Sequence, residues 1–133
     1  MELDTVLMES GDITHHLGGL TVLELSPEGP LIAGQQDATD AVAAGWMADA
    51  AMVAIPVARL PDTIFVLANR RLGELMQKFV NYRLRLAIVG DIRAAVAASD
   101  AFRDFVREAN RGREVWFVDD MAELAARLSA APR

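Results

Sequence analysis

The side chains that could do chemistry in this sequence are few. His15 and His16 are adjacent, Asp119 and Asp120 are adjacent, Gly90-Asp91 ends the apolar run LRLAIVG, and Arg103, Arg107, Arg111 and Arg113 recur near the helical period. Two histidines ligate one metal only if both rings reach it, and successive residues on a strand face opposite ways, so His15 and His16 read as strand residues and no metal is expected. Paired carboxylates can share a proton, but Asp119-Asp120 precedes MAELAARL, where acids cap the amides of a helix start. Asp91 presents a carboxylate at a strand end, or ends a simple turn. The arginines could hold an anion, yet their spacing beside Asp104 and Glu108 fits a solvated helix face. There is no Gly-x-Gly-x-x-Gly, no phosphate loop and no serine in a nucleophile elbow; Ser26 and Ser99 read as turn and cap. The 133 residues include no cysteine, which excludes disulfides, thiolate catalysis and cysteine-ligated zinc. No catalytic residue and no cofactor is therefore expected, and a non-enzyme is the preferred reading.

One polar set remains, around GELMQKFVNYRLRLAIVGD. Glu74, Gln77, Lys78, Asn81, Tyr82, Arg83 and Asp91 form a candidate partner surface, with Asn110 a further candidate at a strand-end pocket with Asp91. An architectural reading of Asn81-Tyr82-Arg83 is also open: Asn as a left-handed helix stop, Tyr packing its ring with its hydroxyl wet, Arg opening the next strand.

The elements that must position these residues follow from periodicity. ITHHL and LTVLEL flank Gly18-Gly19 and read as an antiparallel hairpin. SPEGPLIAG is loop, and Asp37 is placed to cap a helix through DATDAVAAGWMADA, with Val42, Trp46 and Met47 on its expected buried stripe. AMVAIPV is a fully apolar strand. RLPDTIFVLAN reads as a connector. Leu72, Leu75, Met76, Phe79 and Val80 make one face of a helix. LRLAIVG and EVWFV read as strands around a helix that buries Phe102, Phe105, Val106 and Ala109, starts at Ser99 or Asp100 and closes at Asn110 and Gly112; DDMAELAARL is a last helix. The order β-β-α-β-α-β-α-β-α predicts an α/β fold in one domain, residues 1–133, with a mostly parallel mixed sheet of four to five strands covered by helices. Residues 1–12 are expected as an N-terminal extension or first edge strand, and 130–133 as a frayed tail. In such sheets ligands bind beyond the carboxyl ends of strands, here Pro56 to Arg59, Gly90 to Arg93 and Val118 to Asp120.

Composition supports a globular chain. Apolar residues make up 53% and charged residues 24%, and the length suffices to bury about two-thirds of the unfolded surface. Residues 1–68 carry ten acids and one base (Arg59), a net −9, while 69–133 carry nine acids and twelve bases, a net +3. The bases are spread over several elements and no basic stripe is interleaved with aromatics, so neither nucleic acid nor membrane is an expected partner. The acidic start MELDTVLMESGD lacks the features of a signal peptide, and no apolar run approaches the roughly 20 residues of a membrane span, which makes the cytoplasm the expected location.

GELMQKFVNYRLRLAIVGD, followed by VAASDAFRDFVREANRGREVWFV, resembles the bacterial family known as domain of unknown function 4180. The shared features are Gly-Glu, Gln-Lys-Phe-Val-Asn-Tyr-Arg, an apolar strand ending in Gly-Asp, and Asp-Phe-Val-x-Glu-x-Asn-x-Gly before an aromatic strand, and the resemblance covers roughly Leu20 to Leu128. It departs where relatives have Asp-Phe-Phe and Thr-Gly-Leu-Ala-Gly-Glu: this chain has Asp62-Thr63-Ile64-Phe65 and Asn69-Arg70-Arg71-Leu72-Gly73-Glu74. The element order is also similar to the sulphate-transporter and anti-sigma-factor-antagonist (STAS-like) fold, whose members bind kinase-like partners and carry a phosphorylatable Ser or Thr at the second helix start. Thr63, several residues upstream of Asn69-Arg70-Arg71, is the nearest hydroxyl here, so no phosphorylation switch of that kind is expected. Three functions stay open: a non-catalytic interaction or regulatory module with an unidentified protein partner, which is preferred; a small-molecule-binding protein or small enzyme using Asp91 with Arg83 or Asn110; and a homodimer built through an edge strand or the Ala-rich first helix.

Overall fold

The computed structural model describes residues 5–7 and 11–130. Gly18 and Gly19 take φ of 56° and 82°, the left-handed pair that a tight hairpin turn requires, and they join β2 (Ile13–Leu17) to β3 (Leu20–Glu24) with Leu17 opposite Leu20 and Ile13 opposite Glu24. β1 (Thr5–Leu7) lies antiparallel on the outer edge of β2. The chain then alternates through α1 (Gln35–Met47), β4 (Met52–Pro56), α2 (Arg71–Asn81), β5 (Arg85–Val89), α3 (Arg93–Ala98), α4 (Asp100–Arg111), β6 (Val115–Val118) and α5 (Met121–Ala130). The sheet runs β1-β2-β3-β4-β5-β6, and its last four strands pair in parallel. The fold is thus α/β with a mixed sheet covered by helices.

α3 exceeds the expected order, and among the described residues the sheet has six strands rather than four to five. β1 is a three-residue strand within the stretch expected as an extension or first edge strand, and α3 is a six-residue helix with no side-chain cap, too short for periodicity to reveal. Residues 1–4 and 8–10 of the expected N-terminal extension, and 131–133 of the expected tail, lie outside the described residues. The connector between β4 and α2 is built of short 3-10 turns over Val57–Arg59, Asp62–Phe65 and Leu67–Asn69, with Ile64 buried. Among the described residues, no helix is long and apolar enough to cross a membrane.

Parallel strands added in chain order by crossovers of one hand place α1, α2 and the α3–α4 pair on one face. That face buries Leu23, Val53, Ile55, Leu86, Ile88 and Phe117 under Ala41, Leu72, Phe79 and Phe102. Phe102 is the centre of an aromatic cluster, 5.5 Å from Phe65, 6.3 Å from Phe105 and 6.1 Å from Phe117 between ring centroids. The opposite face, with Val22, Met52, Ala54, Ala87, Trp116 and Val118, is closed by Leu124 and Leu128 of α5. Coverage on both sides explains why β4 and β5 are apolar without alternation.

The stripe by which α1 meets the sheet differs from expectation. Ala38, Ala41, Val42 and Gly45 are buried, whereas Trp46 is 59% and Met47 89% exposed. Small residues let α1 approach closely: a Cβ on Gly45 would stand 2.7 Å from Val53 Cγ2. A large indole has no room on that line, so Trp46 is turned outward, next to α2.

Candidate functional site

α2 buries Leu72, Leu75 and Phe79 and turns Glu74, Gln77 and Asn81 to solvent, with Lys78 half-buried at its margin. Gln77 Nε2 donates to Asn81 Oδ1 at 2.8 Å, one turn on. Lys78 Nζ reaches across to α1, 3.3 Å from Gln35 Oε1. Asn69 opens the helix: its Oδ1 accepts from the Arg71 amide at 3.1 Å and its Nδ2 donates to the Thr63 carbonyl at 2.7 Å. Asn69 thus ties the start of α2 to the preceding connector, beside an exposed Thr63.

The helix ends differently from expectation. Asn81 stays helical, and Arg83 takes the left-handed conformation, φ 59°. Arg83 N–H donates to the Val80 carbonyl and Leu84 N–H to the Phe79 carbonyl, the paired bonds of a Schellman stop, with buried Leu84 following. A non-glycine residue at this stop carries a cost of about 1 kcal/mol.

This stop fixes Tyr82, whose carbonyl accepts from Trp46 Nε1 at 3.2 Å. Tyr82 is 50% exposed. The two rings flank a groove of about 240 Å³ between α1 and α2, lined by Thr39, Val42, Ala43, Trp46, Lys78 and Tyr82. Trp46 is the residue that sequence reasoning missed. The signal was present in the run Ala38, Ala41, Gly45, which marks close helix packing and leaves the neighbouring indole outside.

The other candidates stand elsewhere. Tyr82 and Arg83 precede β5 and Asp91 follows it, so the five residues of the strand, about 3.3 Å each, separate them. Asp91 is engaged by its own loop: Arg93 donates Nε and its amide to Oδ1, each at 2.9 Å, and a terminal nitrogen to Oδ2 at 2.9 Å. The Arg93 side chain first, then its amide, hold the Asp91 carboxyl at about 2. Asn110 ends up at the outer margin of the sheet, where its Oδ1 accepts from the Phe117 amide at 2.7 Å and its carbonyl from Arg127 at 2.8 Å. Arg83 and Asp91 thus stand at opposite ends of β5, and Asn110 is engaged by the Phe117 amide and Arg127.

Asp120 Oδ1 accepts from the Glu123 amide at 2.8 Å and Glu123 Oε1 from the Asp119 amide at 2.6 Å, a reciprocal cap on α5. Arg103, Arg107 and Arg111 are ion-paired with Asp100, Asp104 and Glu108 along α4. His15 Nε2 lies 2.8 Å from Glu24 Oε1, and His16 Nδ1 3.4 Å from Thr21 Oγ1, on opposite faces of β2. Among the described residues no group of three His, Cys, Asp or Glu is placed to hold a metal.

Fold and site together define an α/β protein with exposed aromatic side chains on one helical layer. The family model described as "Domain of unknown function (DUF4180)" matches residues 17–128, and the chain belongs to that family. No curated protein and no solved structure matches the chain.

Proposed function

We propose that this chain is a non-catalytic protein-interaction or regulatory module that receives a protein partner on the α1–α2 layer. The observation that carries the reading is the pair Trp46 and Tyr82, large rings left half or more exposed on either side of an apolar groove and joined by the Trp46-to-Tyr82 hydrogen bond. Trp and Tyr contribute large contact areas with few torsions to freeze, which is why they anchor protein interfaces. Thr39 and Lys78 add polar groups to the lining of the groove. The order of elements, similar to that of the STAS-like domains that bind kinase-like proteins, supports a regulatory setting by analogy of topology. A cysteine-free, acidic chain suits the cytoplasm.

Affinity capture from native lysate, comparing wild type with Tyr82→Ala and Trp46→Ala, tests the reading. A partner retained by wild type and lost by both variants, each folded by circular dichroism, is the expected result. Identical captured sets would overturn it, and light scattering would show whether a second copy of the chain is the partner.

A further inference from the structure

We propose that Arg85, Arg113 and Arg127 form a binding site for a small phosphorylated molecule beside Trp116, apart from the α1–α2 groove. Trp116 of β6 is buried, and its Nε1 donates to the Gly112 carbonyl at 2.8 Å. Two guanidiniums lie over this one indole: Arg85 Cζ from β5, 4.6 Å from the ring centroid, and Arg127 Cζ from α5, 4.0 Å from it. Arg85 Nε donates to the Arg113 carbonyl at 2.6 Å, which brings the backbone of the third arginine against the first.

Arg85 and Arg127 are held by neutral groups: the Trp116 ring, the Arg113 and Asn110 carbonyls and the Asn110 side-chain oxygen. None of the three arginines is in an ion pair among the described residues, in contrast to Arg103, Arg107 and Arg111 of the preceding helix. Glu114 is the acid that favours the Arg85 charge, and among the described residues it forms no ion pair either. Three positive charges against one negative leave an excess that burial and the charges of Arg113 and Arg127 make costly at Arg85. An anion relieves that cost.

Three carbonyls at and just beyond the end of α4 each accept a hydrogen bond: Asn110 from Arg127, Gly112 from Trp116 and Arg113 from Arg85. The terminal nitrogens of Arg85, the Nε of Arg127 and the whole Arg113 guanidinium are left as donors. Planar forks of this kind bind phosphate oxygens in pairs. Two guanidiniums over one indole, with the Arg113 charge close enough to act on Arg85, favour a multiply charged group over chloride or a single carboxylate.

The test uses inorganic pyrophosphate with the whole chain, followed by the two tryptophan indole N–H signals in a proton–nitrogen NMR spectrum, assigned with Trp46→Phe. Pyrophosphate is expected to move the Trp116 signal saturably while sodium chloride at matched ionic strength does not. Exposed Arg113→Gln should weaken binding roughly fivefold or more. A Trp116 signal that stays still, or that follows chloride equally, would overturn the proposal. So would unchanged affinity in both Arg113→Gln and Arg85→Gln.

Discussion

At the scale of single residues, Asp91 and Arg83 each have a local role, Asp91 in its pairing with Arg93 and the Arg83 backbone in the left-handed helix stop. Asp91 is held at about 2 by Arg93, so between that value and the ordinary carboxyl value the native chain binds fewer protons than the unfolded one. Its pairing therefore favours the fold above that window and stops doing so as the pH falls through it. Carbon-detected carboxyl titration should give Asp91 a midpoint near 2, and Arg93→Ala should return it to the usual aspartate range; an unmoved midpoint would contradict the assignment. Arg83 occupies a left-handed stop that glycine fills without cost. Arg83→Gly should raise stability by about 1 kcal/mol in urea unfolding, and a loss of similar size would mean that the Arg83 side chain contributes packing not apparent in its exposed position. Phe102 is the opposite case, buried among three other rings. Phe102→Ala should cost about 3–5 kcal/mol, and a cost below about 1 kcal/mol would contradict its place at the centre of the core.

At the scale of elements, what the sequence disclosed and what it hid have separate causes. α2 and β5 were legible because Leu72, Leu75 and Phe79 keep the helical period and Leu86 to Ile88 form an unbroken apolar run. Tyr82 and Asp91 were grouped in one candidate surface, whereas β5 separates them, Tyr82 preceding the strand and Asp91 following it. The α1 stripe was misread because size was taken as a guide to burial, whereas close packing against β4 selects Ala and Gly and pushes Trp46 out. Gly45→Val should cost about 1–3 kcal/mol through overpacking against Val53, measurable by thermal or urea unfolding; no loss would mean that α1 can move off the sheet freely. The cluster around Trp116 could not be read at all. It joins β5, the end of α4, β6 and α5, and only the crossing of α5 over the far face brings Arg127 to the indole. Asn110 was noticed as a ligand-pocket candidate, yet its side chain serves the edge of β6. Asn110→Ala should cost about 1–3 kcal/mol by stranding the Phe117 amide, and a neutral effect on unfolding would return Asn110 to the set of functional candidates.

At the scale of the whole molecule, the sheet is closed on one face by α5 and on the other by α1, α2 and the α3–α4 pair. The two proposed contacts fall on different faces of this frame. The groove lies between helices on the broader layer, and the arginine cluster lies under α5 at the sheet margin. They can be tested independently, because among the described residues no hydrogen bond or ring contact joins Trp46 or Tyr82 to Arg85 or Arg127. The central claim is that the α1–α2 groove meets a protein partner, and the most direct measurement places a photo-crosslinking amino acid at Ala43, in the groove, with the exposed Arg107 position on α4 as control. The account predicts a discrete adduct from position 43, diminished by Tyr82→Ala and absent from position 107. The same pattern from both positions, or an adduct indifferent to Tyr82→Ala, would contradict it.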